Sequence, residues 1–194
     1  MSITIVAEIG INHNGSVDTA LAMVRAAAQA GADAVKVQHF SASEFCTDKA
    51  MWKGERQVDL FRRYELSLSD LGRIAAECKR CGVVFFGTPD SVEHGRELVE
   101  LGAPWIKVGS DDLTNLPLLR GLAALGKPMI LSTGMGSELE ITGARWCVEA
   151  VDQTIMHCVS EYPTSNGRAN LLRLRSLGES HLASIGYSDH TDGI

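Results

Sequence analysis

Two lysines sit inside otherwise apolar runs. Lys36 lies in Ala34-Val35-Lys36-Val37 and Lys107 in Trp105-Ile106-Lys107-Val108. An ammonium group in such a strand is costly unless an anion or a carboxylate meets it. Two lysines at corresponding places suggest one bound anion. Hydroxyls at the ends of other apolar runs, Thr88, Ser110, Ser132 and Ser188, favour this reading, because they add neutral donors around phosphate or carboxylate oxygens. Two alternatives stay open: a strand-end lysine that reaches solvent or pairs with Glu8, and the Schiff-base lysine of a class I aldolase. His190, in Tyr187-Ser188-Asp189-His190-Thr191, offers an imidazole nitrogen to a divalent metal, or is a hydrogen-bonded structural residue beside Asp189. His157 has no evident partner, His39, His94 and His181 read as surface or packing residues, and the role of His13 is open.

The elements that must position these residues repeat. Four times a helix-like run ends in glycine and a short apolar run follows at once: Gly31 before 34–37, Gly82 before 83–86, Gly102 before 105–108, Gly126 before 129–131. Helix starts are signalled by Ser16 with Asp18, by Ser69 before Asp70, by Asp90-Ser91, and by Ser137 with Glu140 as a capping box. Strands are expected near residues 3–8, 33–38, 83–87, 105–109, 128–132, 154–159 and 183–187. The intervening helices are amphipathic, with Leu21, Val24 and Ala28, then Leu71, Ile74, Ala75 and Cys78, at helical spacing. Residues 39–68, polar and charged around Trp52, Phe61 and Tyr64, read as a long functional loop with short helical pieces.

A parallel sheet of this kind is either a closed (β/α) barrel or a doubly wound open sheet. The first turn, Gly10-Ile11-Asn12-His13-Asn14-Gly15, lacks the GxGxxG spacing of a dinucleotide fold. Each expected strand ends in polar residues: Glu8, Lys36 and Gln38, Thr88 and Asp90, Lys107 and Ser110, Ser132 and Thr133, His157 and Ser160, Ser188 to His190. In a barrel these ends converge on one mouth, where active sites of this fold lie.

Bulk properties are those of one soluble globular domain. Of 194 residues, 45% are hydrophobic, and 18 Lys and Arg face 24 Asp and Glu, a net charge of −6 that supplies no basic field for nucleic acid. The first residues form neither a basic leader nor an apolar stretch long enough for a membrane span, and a cytoplasmic location is expected. Five scattered cysteines fit reduced thiols, and Cys78 with Cys81 lacks the second pair that a zinc site needs.

Seven ordered segments resemble the sialic acid synthase family: residues 7–15, 31–38, 87–89, 106–110, 126–135, 157–164 and 186–191. The resemblance implies a TIM-type (β/α) barrel that condenses phosphoenolpyruvate with N-acetylmannosamine or a related 2,4-diacetamido sugar, with Mn²⁺ or Mg²⁺ and release of phosphate. It implies a phosphoenolpyruvate site of Lys36, Thr88, Lys107, Ser110, Ser132, Ser160 and Ser188, with Gln38 beside them. Glu8 matches an acidic residue near the reacting centre, Tyr162 a contact to the sugar, and His190 one of two histidine metal ligands. It further implies a homo-oligomer, a dimer in a full-length parent. Two departures carry consequences. Ser160 stands where the family has Asn, a change associated with synthases of legionaminic or pseudaminic acid. Residues 1–194 also end before an eighth strand and a C-terminal antifreeze-like domain. The expectation is an incomplete barrel domain, either a piece of a longer protein or a degenerate copy that binds weakly, without turnover on its own.

Overall fold

A computed structural model describes residues 3–47 and 49–193 as two compact units, Met1–Pro104 and Trp105–Ile194. Each alternates parallel strands with helices.

In the first unit the elements run β1 (Val6–Gly10), α1 (Val17–Gln29), β2 (Ala34–His39), α2 (Ala42–Phe45), β3 (Met51–Trp52), β4 (Glu55–Arg56), α3 (Gln57–Arg62), α4 (Leu68–Cys81), β5 (Val84–Pro89) and α5 (Val92–Glu100). β1 pairs with β2 and β2 with β5, all parallel, which sets Glu8 opposite Lys36 and Gln38 opposite Thr88. Val24 of α1, Leu71, Ile74 and Cys78 of α4, and Leu98 of α5 are fully buried, the apolar stripes expected from their spacing. Gly87 makes the closest approach: a Cβ there would lie 2.9 Å from a Leu98 methyl and 3.1 Å from Val37. The strand face carrying Val37 and Gly87 therefore meets α5, and the alternate residues Lys36 and Thr88 face the other way.

The second unit runs β6 (Ile106–Val108), α6 (Leu116–Ala123), β7 (Met129–Ser132), α7 (Glu138–Cys147), β8 (Gln153–His157), a 3₁₀ turn (Asn166–Arg168), α8 (Arg173–His181) and β9 (Ser184–Tyr187). Its four strands pair in chain order and in parallel, from β6 to β9. Ile106, Leu119, Leu122, Met129, Leu131, Ile141, Ile155 and Leu177 fill the core.

All seven expected strands are present, the first displaced to residues 6–10. The four glycines expected to end helices have φ between 70° and 95°, the left-handed region in which glycine meets no Cβ penalty. Ser16, Ser91 and Ser137 cap helices as expected, Ser137 in a full capping box. The start of α4 differs: Ser67, not Ser69, is the cap, because its hydroxyl accepts from Asp70 N. The insertion differs too. Besides the helical pieces α2 and α3 it holds a two-residue hairpin, β3 against β4, turned by Lys53 and Gly54 at φ 48° and 86°. Two consecutive positive φ values are the requirement of a type I′ turn. Phe61 packs edge-on against Phe40 and Phe45, which seats the insertion on a small apolar cluster.

The CxxC pair sits in the last turn of α4. Cys78 is fully buried, and burial pushes its thiol up to about 12, whereas Cys81 is half-buried. A protonated thiol is unreactive. Iodoacetamide at pH 8 is expected to alkylate Cys81 and spare Cys78 in the native chain, read by peptide mass spectrometry. Equal labelling of both would contradict the packing of α4.

Candidate functional site

At the carboxyl ends of β1, β2 and β5 one group of polar side chains comes together. The Lys36 ammonium forms an ion pair with Glu8 across the β1/β2 register and donates to Thr88 Oγ1 at 2.9 Å. Pairing with Glu8 was one of the two alternatives for this lysine. It leaves an anion role open, since Glu8 is about half exposed. Gly10, at φ 46°, leaves room for the Glu8 carboxylate, whose oxygen would lie 3.0 Å from a Cβ at that position. Gln38 lies two residues beyond Lys36 on the same strand face and is exposed.

In the second unit Lys107 is buried, with 7% of its surface exposed. Its ammonium donates to Ser132 Oγ and, at 2.7 Å, to the Val108 carbonyl, so β6 and β7 are joined at their carboxyl ends by a cation. Beyond β7, Gly134 N donates to Ser110 Oγ at 3.0 Å. A Cβ on Gly134 would lie 2.4 Å from Ser160 Oγ, 2.9 Å from Ser110 Oγ and 3.1 Å from Cys158 Sγ. Two hydroxyls from different loops thus converge on a backbone that has no side chain. Residue spacing alone pointed to the serines and missed Gly134. Its signal was a glycine directly after the hydroxyl pair Ser132-Thr133 at a strand end.

His190 is held on three sides. Its Nδ1 lies 2.6 Å from the Val159 carbonyl. A carbonyl only accepts, so Nδ1 carries the proton and Nε2 presents its lone pair, with Ser188 Oγ 3.2 Å away. Tyr162 stacks on the ring at 4.1 Å between centroids and is itself 76% exposed. Thr164 N and the His190 carbonyl bond at 2.7 Å, fixing the 158–164 loop to the segment after β9. A donated Nδ1 and a lone-pair Nε2 are what a metal-bound imidazole requires, so His190 fits the role of a ligand to Mn²⁺ or Mg²⁺.

The other histidines all have partners. His157 does have partners: its Nε2 meets the Ala169 carbonyl at 2.8 Å and its ring stacks on Tyr187. His13 is buried, and its Nδ1 accepts from Gly15 N at 3.0 Å, so it serves the first turn. His181 is buried against Glu138. For His39 and His94 the packing reading holds, since His39 is buried against Glu97 and His94 pairs with Asp90. Among the described residues, the groups able to surround a metal ion are His39 with His94 and Glu97, and Glu44 with Asp90 and His94. No helix of the described residues is long and apolar enough to cross a membrane.

Comparison with known proteins agrees with these motifs. The family model described as the NeuB family matches residues 23–194. The N,N'-diacetyllegionaminic acid synthase of Campylobacter jejuni is 36% identical over 98% of this chain and 61% of its own length. The N-acetylneuraminate-9-phosphate synthase of Drosophila melanogaster is 34% identical over all of this chain and 55% of its own. The chain thus spans about three fifths of the length of such curated relatives. In structure it is similar to the N-acetylneuraminic acid synthetase of Leptospira borgpetersenii, solved in complex with citrate. The TM-score is 0.94 at 32% identity, over all of this chain and 67% of that one. That likeness decides between the two parallel architectures in favour of the (β/α)-barrel type. With a family model covering most of its length and seven βα strands of the same fold, the chain belongs to the NeuB family.

Proposed function

We propose that this chain carries the phosphoenolpyruvate side of a nonulosonic acid synthase. The observation that carries the reading is the Lys36 ammonium, held at the strand ends by Glu8 and Thr88 in a chain of this family. Lys36 and Thr88, with Gln38 beside them, in the first unit, and Lys107 with Ser132, Ser110, Ser160 and Ser188 in the second, each offer a cation and neutral donors suited to the phosphate or carboxylate of the donor. In the reaction so proposed, the C=C electron pair of phosphoenolpyruvate bonds its methylene carbon to the aldehyde carbon of the sugar, whose C=O pair moves onto the oxygen, which takes up a proton. Water adds to the adjacent carbon, and the C–O bond to phosphate breaks. Glu8 accepts the proton of that water, a role supported by its exposed carboxylate beside Lys36. His190 would hold a Mn²⁺ or Mg²⁺ ion, which would supply Lewis-acid polarisation of the sugar aldehyde. Tyr162, stacked on His190, contacts the sugar.

For the acceptor we favour an N-acetylated 2,4-diacetamido sugar over N-acetylmannosamine. Ser160 in place of the family's Asn supports this, as does the similarity to proteins named diacetyllegionaminic and pseudaminic acid synthases. The reading includes a cytoplasmic location, supported by five free cysteines, and association with a second copy, supported by exposed Ile3, Ile5 and Leu172.

The test is a saturation-transfer NMR experiment with phosphoenolpyruvate, Mg²⁺ and a panel of amino-sugars. The expected result is transfer to the 2,4-diacetamido sugar that Mg²⁺ strengthens about tenfold in the wild type and does not strengthen in His190→Ala. Transfer to no sugar, or a His190→Ala variant that behaves as the wild type, contradicts the proposed acceptor side.

A further inference from the structure

His39 is the last residue of β2, two positions after Val37, and so lies on the strand face that meets α5, opposite the face of Lys36. There its imidazole is 6% exposed and its Nε2 lies 2.6 Å from Glu97 Oε2. His94 and Glu97 are three residues apart on α5 and share one helix face. The rings of His39 and His94 stand 4.2 Å apart between centroids, tilted by 44°. His94 Nδ1 pairs with Asp90 Oδ1, and the other Asp90 oxygen accepts from Ser41 N at 3.1 Å. Ligand-capable atoms of His39, His94 and Glu97 all lie within 4.8 Å of one another.

We propose that His39, His94 and Glu97 form a binding site for a late first-row divalent ion of the zinc type, with Asp90 orienting His94. A single imidazole and a carboxylate suffice for a structural hydrogen bond. Two imidazoles and a carboxylate whose ligand atoms lie within 4.8 Å of one another in a largely buried setting are a donor set for such an ion, with one position left for water. The Asp90 pairing is the carboxylate to imidazole contact that orients a metal-bound histidine. Burial lowers the affinity of His39 for a proton, which favours the neutral ring that ligates. Tetrahedral ligands about 2.05 Å from zinc are about 3.3 Å apart. The present 2.6 Å between His39 and Glu97 is a hydrogen bond, so the ion displaces the shared proton and opens that contact slightly. The bound ion ties the end of β2 to the first turns of α5. None of these residues belongs to the proposed synthase site, and imidazole donors select zinc over the magnesium that oxygen ligands suit.

The experiment uses the untagged whole chain carrying His190→Ala, which removes the other candidate imidazole ligand, after treatment with a chelator. Zn²⁺ affinity is measured by competition with a chromophoric chelator, and Co²⁺ is added to a second sample. The expected result is one equivalent of Zn²⁺, a Co²⁺ absorption band of tetrahedral intensity, and a thermal midpoint raised by Zn²⁺. Adding His94→Gln lowers the affinity at least tenfold and removes the thermal shift. If circular dichroism shows that His94→Gln does not fold, Glu97→Gln replaces it, and the Co²⁺ band of the parent reads the ligation independently. No bound equivalent, no tetrahedral band, or unchanged affinity in the folded variant overturns the proposal.

Discussion

Replacing Lys36 by alanine is expected to weaken phosphoenolpyruvate binding by about 10- to 100-fold, because a hydrogen bond to a charged group contributes roughly 1.5–3 kcal/mol. The fold should survive. Its apolar neighbours in β2, Val35 and Val37, are fully buried without it, and its loss frees Glu8 into a half-exposed setting where a carboxylate is well solvated. Thr88→Val removes only the 2.9 Å neutral contact to the ammonium and should cost less, about 2- to 10-fold. Dissociation constants by calorimetry and strand content by circular dichroism check both. Equal losses in the two variants would mean that Lys36 acts through packing and not through its charge.

The second large effect is expected at Gly134. Its φ is not in the left-handed region, so alanine is conformationally allowed and only space decides. The added methyl carbon would lie 2.4 Å from Ser160 Oγ and 2.9 Å from Ser110 Oγ, far inside contact distance. Both hydroxyls must move. Gly134→Ala should therefore weaken phosphoenolpyruvate binding about tenfold or more and cost about 1–3 kcal/mol of stability, the usual range for overpacking. Adding Ser160→Gly removes the nearest clash. The double variant should regain much of the stability and none of the affinity, since a donor has been deleted. A Gly134→Ala chain that binds as the wild type would show that the converging serines are not part of the donor site.

The spacing of the sequence made the strands and helices legible because each carries its own punctuation. Gly31, Gly82, Gly102 and Gly126 end helices through positive φ, a local requirement that no tertiary contact can alter. The hairpin at Lys53 and Gly54 was not legible, since two-residue strands leave no alternation to detect. Lys36 and Lys107 stood out because a charge in an apolar run needs a reason. Glu8 was legible as one possible partner of Lys36, but its simultaneous contact with Thr88 emerged only through the β1/β2/β5 register. His39 and His94 illustrate the same limit. They are 55 positions apart in the sequence, and the pairing of β2 with β5, which brings the Asp90 amide to the His39 carbonyl at 3.2 Å, is what sets α5 beside the end of β2. Ser188, Ser160 and His190, by contrast, were legible at the strand ends, although Gly134, on which Ser160 and Ser110 converge, emerged only from the loop after β7.

A calorimetric titration of phosphoenolpyruvate into the wild-type chain tests the central claim most directly. The predicted result is one saturable equivalent, with affinity that falls in Lys36→Ala and in Lys107→Ala while both variants keep the wild-type circular dichroism spectrum. Absence of saturable binding to the folded wild-type chain, or affinity unchanged in both lysine variants, would contradict it.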